Sequence, residues 1–403
     1  MNTKRAEILD TVIYYIFLVY MVTICWTELR TNFLGYIILI LGIIRYYFSP
    51  IKIKLQTYHI WILVIFFICK FSTIFLNDVN ANYYTNFQWF RDRFLSPILI
   101  LFLLIYFVRE KEKIKNLFFA LVISFLIGNL FAIGEFYQGG SRVSGLTTDT
   151  MELAGFLIML YPSTIIFLFK DQLAKRCKII LYLCLIVSTP VIFFNGTRIA
   201  WVILALTIPS ILILLMKNKK MLITILLIVL ASTSMLINNN DALQKRFYSI
   251  TDHNYQSNAE RVRMWKSAWN MFSDHPIAGV GLGNYMEQYR TKYILPEAKE
   301  RNQWHAHNVF MQTLAESGII GILPYICMVV YFTMESFIRW IRTKDLMSLL
   351  FLCVTLGFFL HGMTDVNLGN LRILFKIYCF FLGMYLITND LIIYNEKETI
   401  KNN

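Results

Sequence analysis

Long apolar runs separated by short polar connections make up most of this chain. A helix of about 20 mainly apolar residues crosses the roughly 30 Å hydrocarbon core of a bilayer. On this criterion the pattern predicts twelve transmembrane helices. They fall near 8–27, 33–49, 58–76, 94–108, 114–137, 151–169, 178–195, 199–216, 221–237, 319–338, 346–362 and 372–393.

One polar interval interrupts the alternation and divides the chain into three parts. Residues 1–237 hold the first nine predicted helices, 238–318 form a large loop, and 319–403 hold the last three helices and a tail. The loop carries nine Lys/Arg, eight Asp/Glu and four of the six histidines. Long loops are usually functional or disordered, and this residue content favours an ordered, functional loop.

Two short amphipathic helices are predicted inside the loop. The first begins at Ser257, because Glu260 stands three residues later as in a capping box. Its apolar positions recur at helical spacing, and a glycine-rich turn at 277–285 follows Pro276. These apolar positions are Val262, Trp265, Trp269 and Phe272.

The second predicted helix carries His307, Phe310, Met311 and Leu314 on one stripe and ends at Gly318. This pattern puts His307 in the first turn, where the helix dipole disfavours a protonated imidazole. A neutral histidine at such a place can accept a proton as a general base.

Composition supports a membrane protein and excludes an ordinary soluble domain. Hydrophobic residues make up 57% of the chain, and the mean hydropathy is +0.55. Short connections on one side carry twenty Lys/Arg against seven on the other, which predicts cytoplasmic termini and a large loop on the non-cytoplasmic side. The net charge of +13 therefore reflects topology and attraction to membrane lipids, not nucleic-acid binding.

Three arginines predicted to lie outside the cytoplasm suggest a phosphate-bearing lipid ligand. Arg198, in FFNGTRIAW, stands at a membrane helix end, where a charge is costly and by default functional, although it could reach the headgroups. Arg142 lies in GGSRVSG, and Arg261 opens the first loop helix beside Arg263. Guanidinium groups bind phosphate in bidentate fashion.

Other polar features leave alternatives open. His305 and His307 form an HxH pair that suggests zinc, but no HExxH motif or cysteine partner accompanies it. His305 is a candidate supporting group, and Asp365 could orient either a substrate or a side chain. The GVGLGN glycines indicate a tight turn rather than a dinucleotide site, since no strand precedes them.

The loop as a whole resembles the signature of the O-antigen ligase and polymerase superfamily. RVRMWKSAWNMFSDHPIAGVGLGNY and HAHNVFMQTLAESGIIG match its spaced arginine, tryptophan, proline, glycine and histidine motifs. Thr197 and Arg198 match its Ser/Thr-Arg pair, and RxSG before a proline-terminated helix is matched near the 142–162 region. The matching positions are Arg142, Ser144, Gly145, Pro162, Thr197, Arg198, Arg261, Trp265, Pro276, Gly279, Gly281, His307, Asn308, Glu316, Gly318 and Gly321.

The resemblance implies an all-α polytopic membrane protein with GT-C-like glycosyltransferase architecture, working at the periplasmic face of a bacterial inner membrane. The implied donor is an O-antigen on undecaprenyl pyrophosphate, and the implied acceptor is lipid A-core oligosaccharide. His307 is expected as base, with the pyrophosphate on Arg142, Arg198 and Arg261. His305, Asn308 and Glu316 are expected to support the site, and no metal or cofactor is expected.

Three other functions remain as alternatives. An O-antigen polymerase shares these motifs and would extend lipid-linked repeats. A lipid-linked oligosaccharide flippase has a similar helix count and buried arginines, but it has no need of a large ordered loop carrying a histidine. A zinc enzyme is a weaker option that predicts sensitivity to chelators.

Overall fold

The structure is a computed structural model, and it describes residues 2–27, 33–48, 50, 52–55, 58–77, 79, 83–252, 255–368, 372–390 and 392–395. Its secondary structure is almost entirely helical, as the apolar runs predict. The helices are α1 (Asn2–Thr23), α2 (Phe33–Phe48), α3 (Tyr58–Leu76), α4 (Tyr83–Phe90), α5 (Ser96–Phe107), α6 (Lys111–Tyr137), α7 (Thr150–Leu168), α8 (Lys175–Asn195), α9 (Arg198–Leu215), α10 (Lys219–Asn238), α11 (Asp241–Tyr248), α12 (Gln256–Asp274), α13 (Tyr285–Gln288), α14 (Val309–Thr343), α15 (Leu346–Gly362) and α16 (Arg372–Thr388).

Within the described residues, eight helices are long and apolar enough to cross a membrane, and three apolar helices are shorter. A further predicted span, 94–108, corresponds to α5, which continues α4 through a π-helical turn at Arg91–Leu95. The chain is therefore a multi-pass membrane protein. Twelve crossings remain a prediction.

One predicted boundary is wrong. The last helix was expected to reach residue 393, but α16 ends at Thr388. Beyond it, β2 (Ile392–Asn395) pairs antiparallel with β1 (Lys52–Leu55). The β-branched and aromatic residues of IIYN favour a strand when a partner strand is available.

Packing differs sharply along the bundle. α15 packs on α7, α16 on α5, and α14 on both α3 and α15, and these contacts bury the aromatic-rich core. By contrast, α10 touches only α9 and α11 closely, and Leu222 is its one buried residue.

The sequence also suggested that Pro162 ends a helix, but it lies inside α7.

The large loop folds around its own small core. Met264, Ala268 and Met271 of α12 pack against Tyr285 and Ala315. The predicted apolar stripe is therefore misassigned in part. Val262 and Trp269 are exposed on the opposite face.

The predicted capping box of this loop helix is also wrong. α12 begins at Gln256, and Tyr255 precedes it without a side-chain cap. Ser257 instead accepts a hydrogen bond from Arg198, and Glu260 pairs with Arg263. Arg198 is remote in sequence from Ser257, whereas Arg263 lies one turn beyond Glu260 on the same helix.

Gly318 divides α14 into two helices, as its position in the sequence predicts. Its φ of +55° lies in the left-handed region, which an L side chain adopts only with strain. A Cβ there would also lie 2.5 Å from the Ile277 carbonyl oxygen. The break frees the amide groups of Ile319 and Ile320 to donate to the Pro276 and Ile277 carbonyls, at 2.9 and 3.2 Å.

Candidate functional site

The segment containing His305 and His307 is held in place by hydrogen bonds to its backbone. Ala306, between them, donates its N–H to Gln312 at 2.8 Å, and its carbonyl accepts from the Trp265 indole at 3.0 Å. Trp265 stands one helical turn after Arg261 on α12. The spacing of arginine and tryptophan thus ties the position of Arg261 to that of the histidine segment.

His307 does not lie in the first turn of α14, contrary to the sequence expectation. Asn308 is the N-cap, and its side-chain oxygen accepts from the Phe310 and Met311 amides at 2.9 and 3.2 Å. His307 precedes this cap with a φ of +47°. The positive φ turns its ring away from the helix stripe and towards Asp365 and a cavity.

Asp365 lies against both histidines. Its Oδ1 is 3.1 Å from His305 Nε2, and its Oδ2 is 3.8 Å from His307 Nδ1. The carboxylate is 2% exposed and also accepts from the Val366 amide at 2.6 Å. Asp365 therefore contacts two side chains, in keeping with one of the two roles that its sequence position left open.

The electrostatics of this group follow from burial and pairing. Burial would raise the pKa of Asp365, but the hydrogen bond from His305 and the nearby ring of His307 hold that pKa well below its usual value. Burial lowers the pKa of His305, and the nearby Asp365 opposes the change. At neutral pH, His305 is thus a neutral ring beside an ionised carboxylate.

Two arginines hold the turn between α8 and α9. Arg142 donates to the Asn195 carbonyl at 3.1 Å and to the Thr197 hydroxyl at 3.0 Å. Arg246, on α11, donates to the Gly196 carbonyl at 2.8 Å. Burial, followed by the charge of Arg246, lowers the pKa of Arg142 to about 10, so the group stays cationic at neutral pH.

Arg198 begins α9 and joins it to the loop. Its guanidinium donates to the Ser249 carbonyl at 2.7 Å, to Ser257 at 3.0 Å and to Asn258 at 2.9 Å. All of these acceptors are uncharged, so the bonds fix the arginine without neutralising it. Tyr255 lies beneath it, 5.2 Å from ring centre to Cζ.

A cavity of about 760 Å³ brings these groups together. It contains His307 and four arginines, and no carboxylate among the described residues is within salt-bridge distance of those four. Burial lowers the pKa of Arg261, and the charge of Asp365 opposes that effect. Besides the four arginines (Arg142, Arg198, Arg246 and Arg261) and His307, the lining includes Ile199, Val202, Glu260, Glu300 and Gln303.

The remaining predicted site residues, His305, Asn308 and Glu316, do not line this cavity. His305 reaches Asp365, and Asn308 also donates to the Met363 carbonyl at 3.2 Å. Glu316 is buried elsewhere, where it accepts the amides of Gly283 and Tyr285 at 3.1 and 3.3 Å. These contacts fit supporting roles and involve no exposed reactive group.

The donor set of His305, His307 and Asp365 is compatible with a metal ion. One ligand atom from each lies within 4.8 Å of the others. Two imidazoles and a carboxylate are a set that zinc uses in catalytic sites. Both hydrogen bonds to Asp365, from His305 and from the Val366 amide, reach Oδ1, and His307 Nδ1 lies 3.8 Å from Oδ2, so the same geometry also serves a pair of histidines without an ion.

Sequence reasoning missed Arg246. It sits in DALQKRFY after Lys245, where two basic residues near a helix end are normally solvated. Only the return of α11 to the α8–α9 turn brings its side chain to Gly196. The sequence held one hint of this contact, the glycine of NGTR. Gly196 has a φ of +64°, and a Cβ there would lie 3.2 Å from Arg246 Nε, so a glycine leaves room for the arginine.

The fold and cavity define a multi-pass membrane protein with a cationic cavity next to a histidine. Residues 183–326 match the family model described as O-Antigen ligase. This match supports placing the chain in the O-antigen ligase and polymerase superfamily, as its motifs predict. It includes Arg198, Arg246, Arg261 and His307 but not Arg142 or Asp365. No curated protein matches the chain significantly.

Proposed function

We propose that this protein is an inverting, metal-independent glycosyltransferase. It moves an O-antigen polysaccharide from undecaprenyl pyrophosphate to a sugar hydroxyl of lipid A-core at the periplasmic face of the inner membrane. The family match supports O-antigen ligase or polymerase activity in general. The donor, acceptor and mechanism are the proposal.

One observation carries the proposal: four guanidinium groups without carboxylate partners share a cavity with His307. Uncompensated like charges in a partly buried space are costly unless an anion occupies it. A pyrophosphate offers several oxygens for bidentate pairing with arginine. The apolar side chains of Ile199 and Val202 also line the cavity, and they suit the lipid part of such a donor.

The protein must stabilise the departing pyrophosphate and accept the proton of the attacking hydroxyl. The acceptor oxygen attacks the anomeric carbon, a new C–O bond forms, and the bond from that carbon to the pyrophosphate oxygen breaks. The arginines stabilise the negative charge that develops on the departing pyrophosphate. The proton of the hydroxyl passes to the free nitrogen of His307, and direct attack inverts the anomeric centre.

Asp365 acts through His307 in this scheme. Its carboxylate faces His307 Nδ1 at 3.8 Å, which favours the ring tautomer whose Nε2 accepts the proton. The same charge stabilises the imidazolium that forms. His305 occupies the other carboxylate oxygen and so keeps the carboxylate in place.

The direct test is reconstitution of purified protein with a lipid-pyrophosphate glycan and lipid A-core in EDTA. We expect the acceptor to increase in size, and we expect His307→Ala to abolish the increase without loss of folding. Transfer that stops in EDTA and returns with zinc would overturn the metal-independent mechanism. Normal transfer by a well-expressed His307→Ala variant would overturn the assignment of the base.

Gene loss separates the ligase from the polymerase. Unmodified lipid A-core together with long lipid-linked chains indicates a ligase. Core capped by single repeats indicates a polymerase. A flippase predicts that His307→Ala still translocates lipid-linked glycan and that the wild type transfers none.

A further inference from the structure

Not all of the cavity wall is cationic. Glu300 and Gln303 line it on the segment that leads into His305 and His307. They present oxygen acceptors and one carboxylate to the cavity that His307 also lines. An anionic donor gains nothing from this part of the wall.

The position of Glu300 is fixed by the helix that carries Arg261. Glu260, 3% exposed, accepts the backbone amides of Lys299 and Glu300, each at 3.3 Å. Arg263 pairs with the same carboxylate from one turn further along. Adjacent residues of α12 therefore set the places of an arginine in the cavity and of the acidic wall.

The side chains of this wall retain free acceptors. Glu300 Oε2 accepts from the Gln303 amide nitrogen at 3.1 Å. Within the described chain, no other bond reaches Glu300 Oε1 or the Gln303 side-chain oxygen. Both atoms are available to accept from hydroxyl or ammonium groups, whereas a phosphate or carboxylate would meet a like charge.

We propose that Glu300 and Gln303 form the acceptor-sugar subsite, which takes a sugar with neutral hydroxyls or an amine beside the attacked hydroxyl and disfavours an anionic group there. This inference rests on the proposed transferase function. The arginines then hold the donor, and His307 lies where both substrates meet. The charge of the wall selects between acceptors.

The first test separates the two substrates kinetically. Glu300→Ala and Gln303→Ala should each raise the acceptor KM about tenfold, the loss expected for a hydrogen bond at a binding site. The donor KM should stay within about twofold of the wild type. Glu297→Gln is the matched control, because this exposed carboxylate lies on the same segment and does not line the cavity.

The second test uses charge. Two synthetic acceptors differ only in a phosphate next to the attacked hydroxyl, and the donor is a glycan on undecaprenyl pyrophosphate. The wild type should prefer the neutral acceptor, and Glu300→Lys should reverse that preference. Glu300→Gln should raise use of the phosphorylated acceptor while leaving the neutral one nearly unchanged.

Two outcomes would overturn the subsite. One is an acceptor KM that stays unchanged in both Glu300→Ala and Gln303→Ala. The other is a donor KM that rises as much as the acceptor KM in these variants. Failure of the transferase proposal looks different, because the wild type would then transfer glycan to neither acceptor. In that case both proposals fall.

Discussion

Two groups of charged side chains lie close to the large loop, and they are built on opposite principles. In the first, Glu316 is buried with Lys70 and Arg93 nearby, and Lys70 also donates to Ser317 at 2.9 Å. In the second, four arginines line a cavity without a carboxylate partner in the described residues. The first group places its cations around a buried carboxylate, and the second leaves its positive charges facing open space.

His307 and Glu316 belong to the same family motif, yet they fall into different groups. Glu316 and His307 belong to one short stretch, yet Glu316 holds the glycine turn through the Gly283 and Tyr285 amides. His307 faces the cavity instead. A residue in the motif is therefore not by itself a reactive residue, and its partners decide its role.

The largest effect should come from the group at the meeting point of the substrates. We expect His307→Ala to lower transfer by about a thousandfold, within the range for loss of a general base. Donor affinity should be nearly unchanged. Single-turnover assays with lipid-linked donor and a separate binding measurement check both parts.

His275→Ala is the control, because this loop histidine does not line the cavity. A loss of activity in His275→Ala equal to that in His307→Ala would contradict the assignment of His307 as the base.

Breaking the balanced group should cost stability. Glu316→Gln keeps an acceptor for the loop amides but leaves Lys70 and Arg93 without their buried carboxylate. We expect a loss of about 3 kcal/mol, since removal of one partner strands the other charges. Thermal unfolding in detergent measures it, with the exposed Glu287→Gln as the reference change.

Donor binding by the folded fraction should persist in Glu316→Gln. Weakened binding without lost stability would contradict the division between the two groups.

Removing one cavity arginine should weaken donor binding and leave stability nearly unchanged. Arg246→Ala should raise the donor dissociation constant about tenfold, as expected when one charged contact is lost. Its stability should change little, because relief of repulsion from Arg142 offsets the lost bond to Gly196. Direct binding of undecaprenyl pyrophosphate measures the effect.

Arg290→Ala, an exposed arginine of the same loop, is the matched control. Donor binding by Arg246→Ala that equals that of the wild type would remove Arg246 from the anion site.

The smallest effect concerns pH. The pKa of Asp365 is depressed in the folded protein, so its stabilising contribution is present above the unfolded pKa of about 3.9 and is lost as pH falls towards the folded pKa. Asp365→Asn should lower Tm by about 2–4 °C near pH 7. That difference should shrink below about pH 4. A constant difference across this range would show that shape, not charge, matters at residue 365.

The helices were predictable because apolar length and helical period are local signals. Gly318 was predictable as a break for the same reason. The start of α12 was not, since Ser257 and Glu260 fit a capping box by spacing while Arg198 and Arg263 engage them in the fold. The partner of Ser257 is tertiary, and the partner of Glu260 is a neighbour on the same helix.

The candidate site was only partly accessible from sequence. Arg142, Arg198, Arg261 and His307 came from motif and position, and they line one cavity. The conformation of His307 was not foreseeable, because it depends on where Asn308 caps the helix. Neither was the meeting of the histidines with Asp365, which lies about sixty residues away along the chain.

That long-range meeting has a consequence for biogenesis. The chain emerges from its N-terminus onwards, and both α14 and α15 must be in place before Asp365 reaches His305 and His307. A nascent chain that stops before α15 therefore has its arginines and its histidines but lacks the carboxylate that orients the base. Under the proposed mechanism, newly made protein gains competence only after α15 has been inserted and Asp365 has reached the histidines.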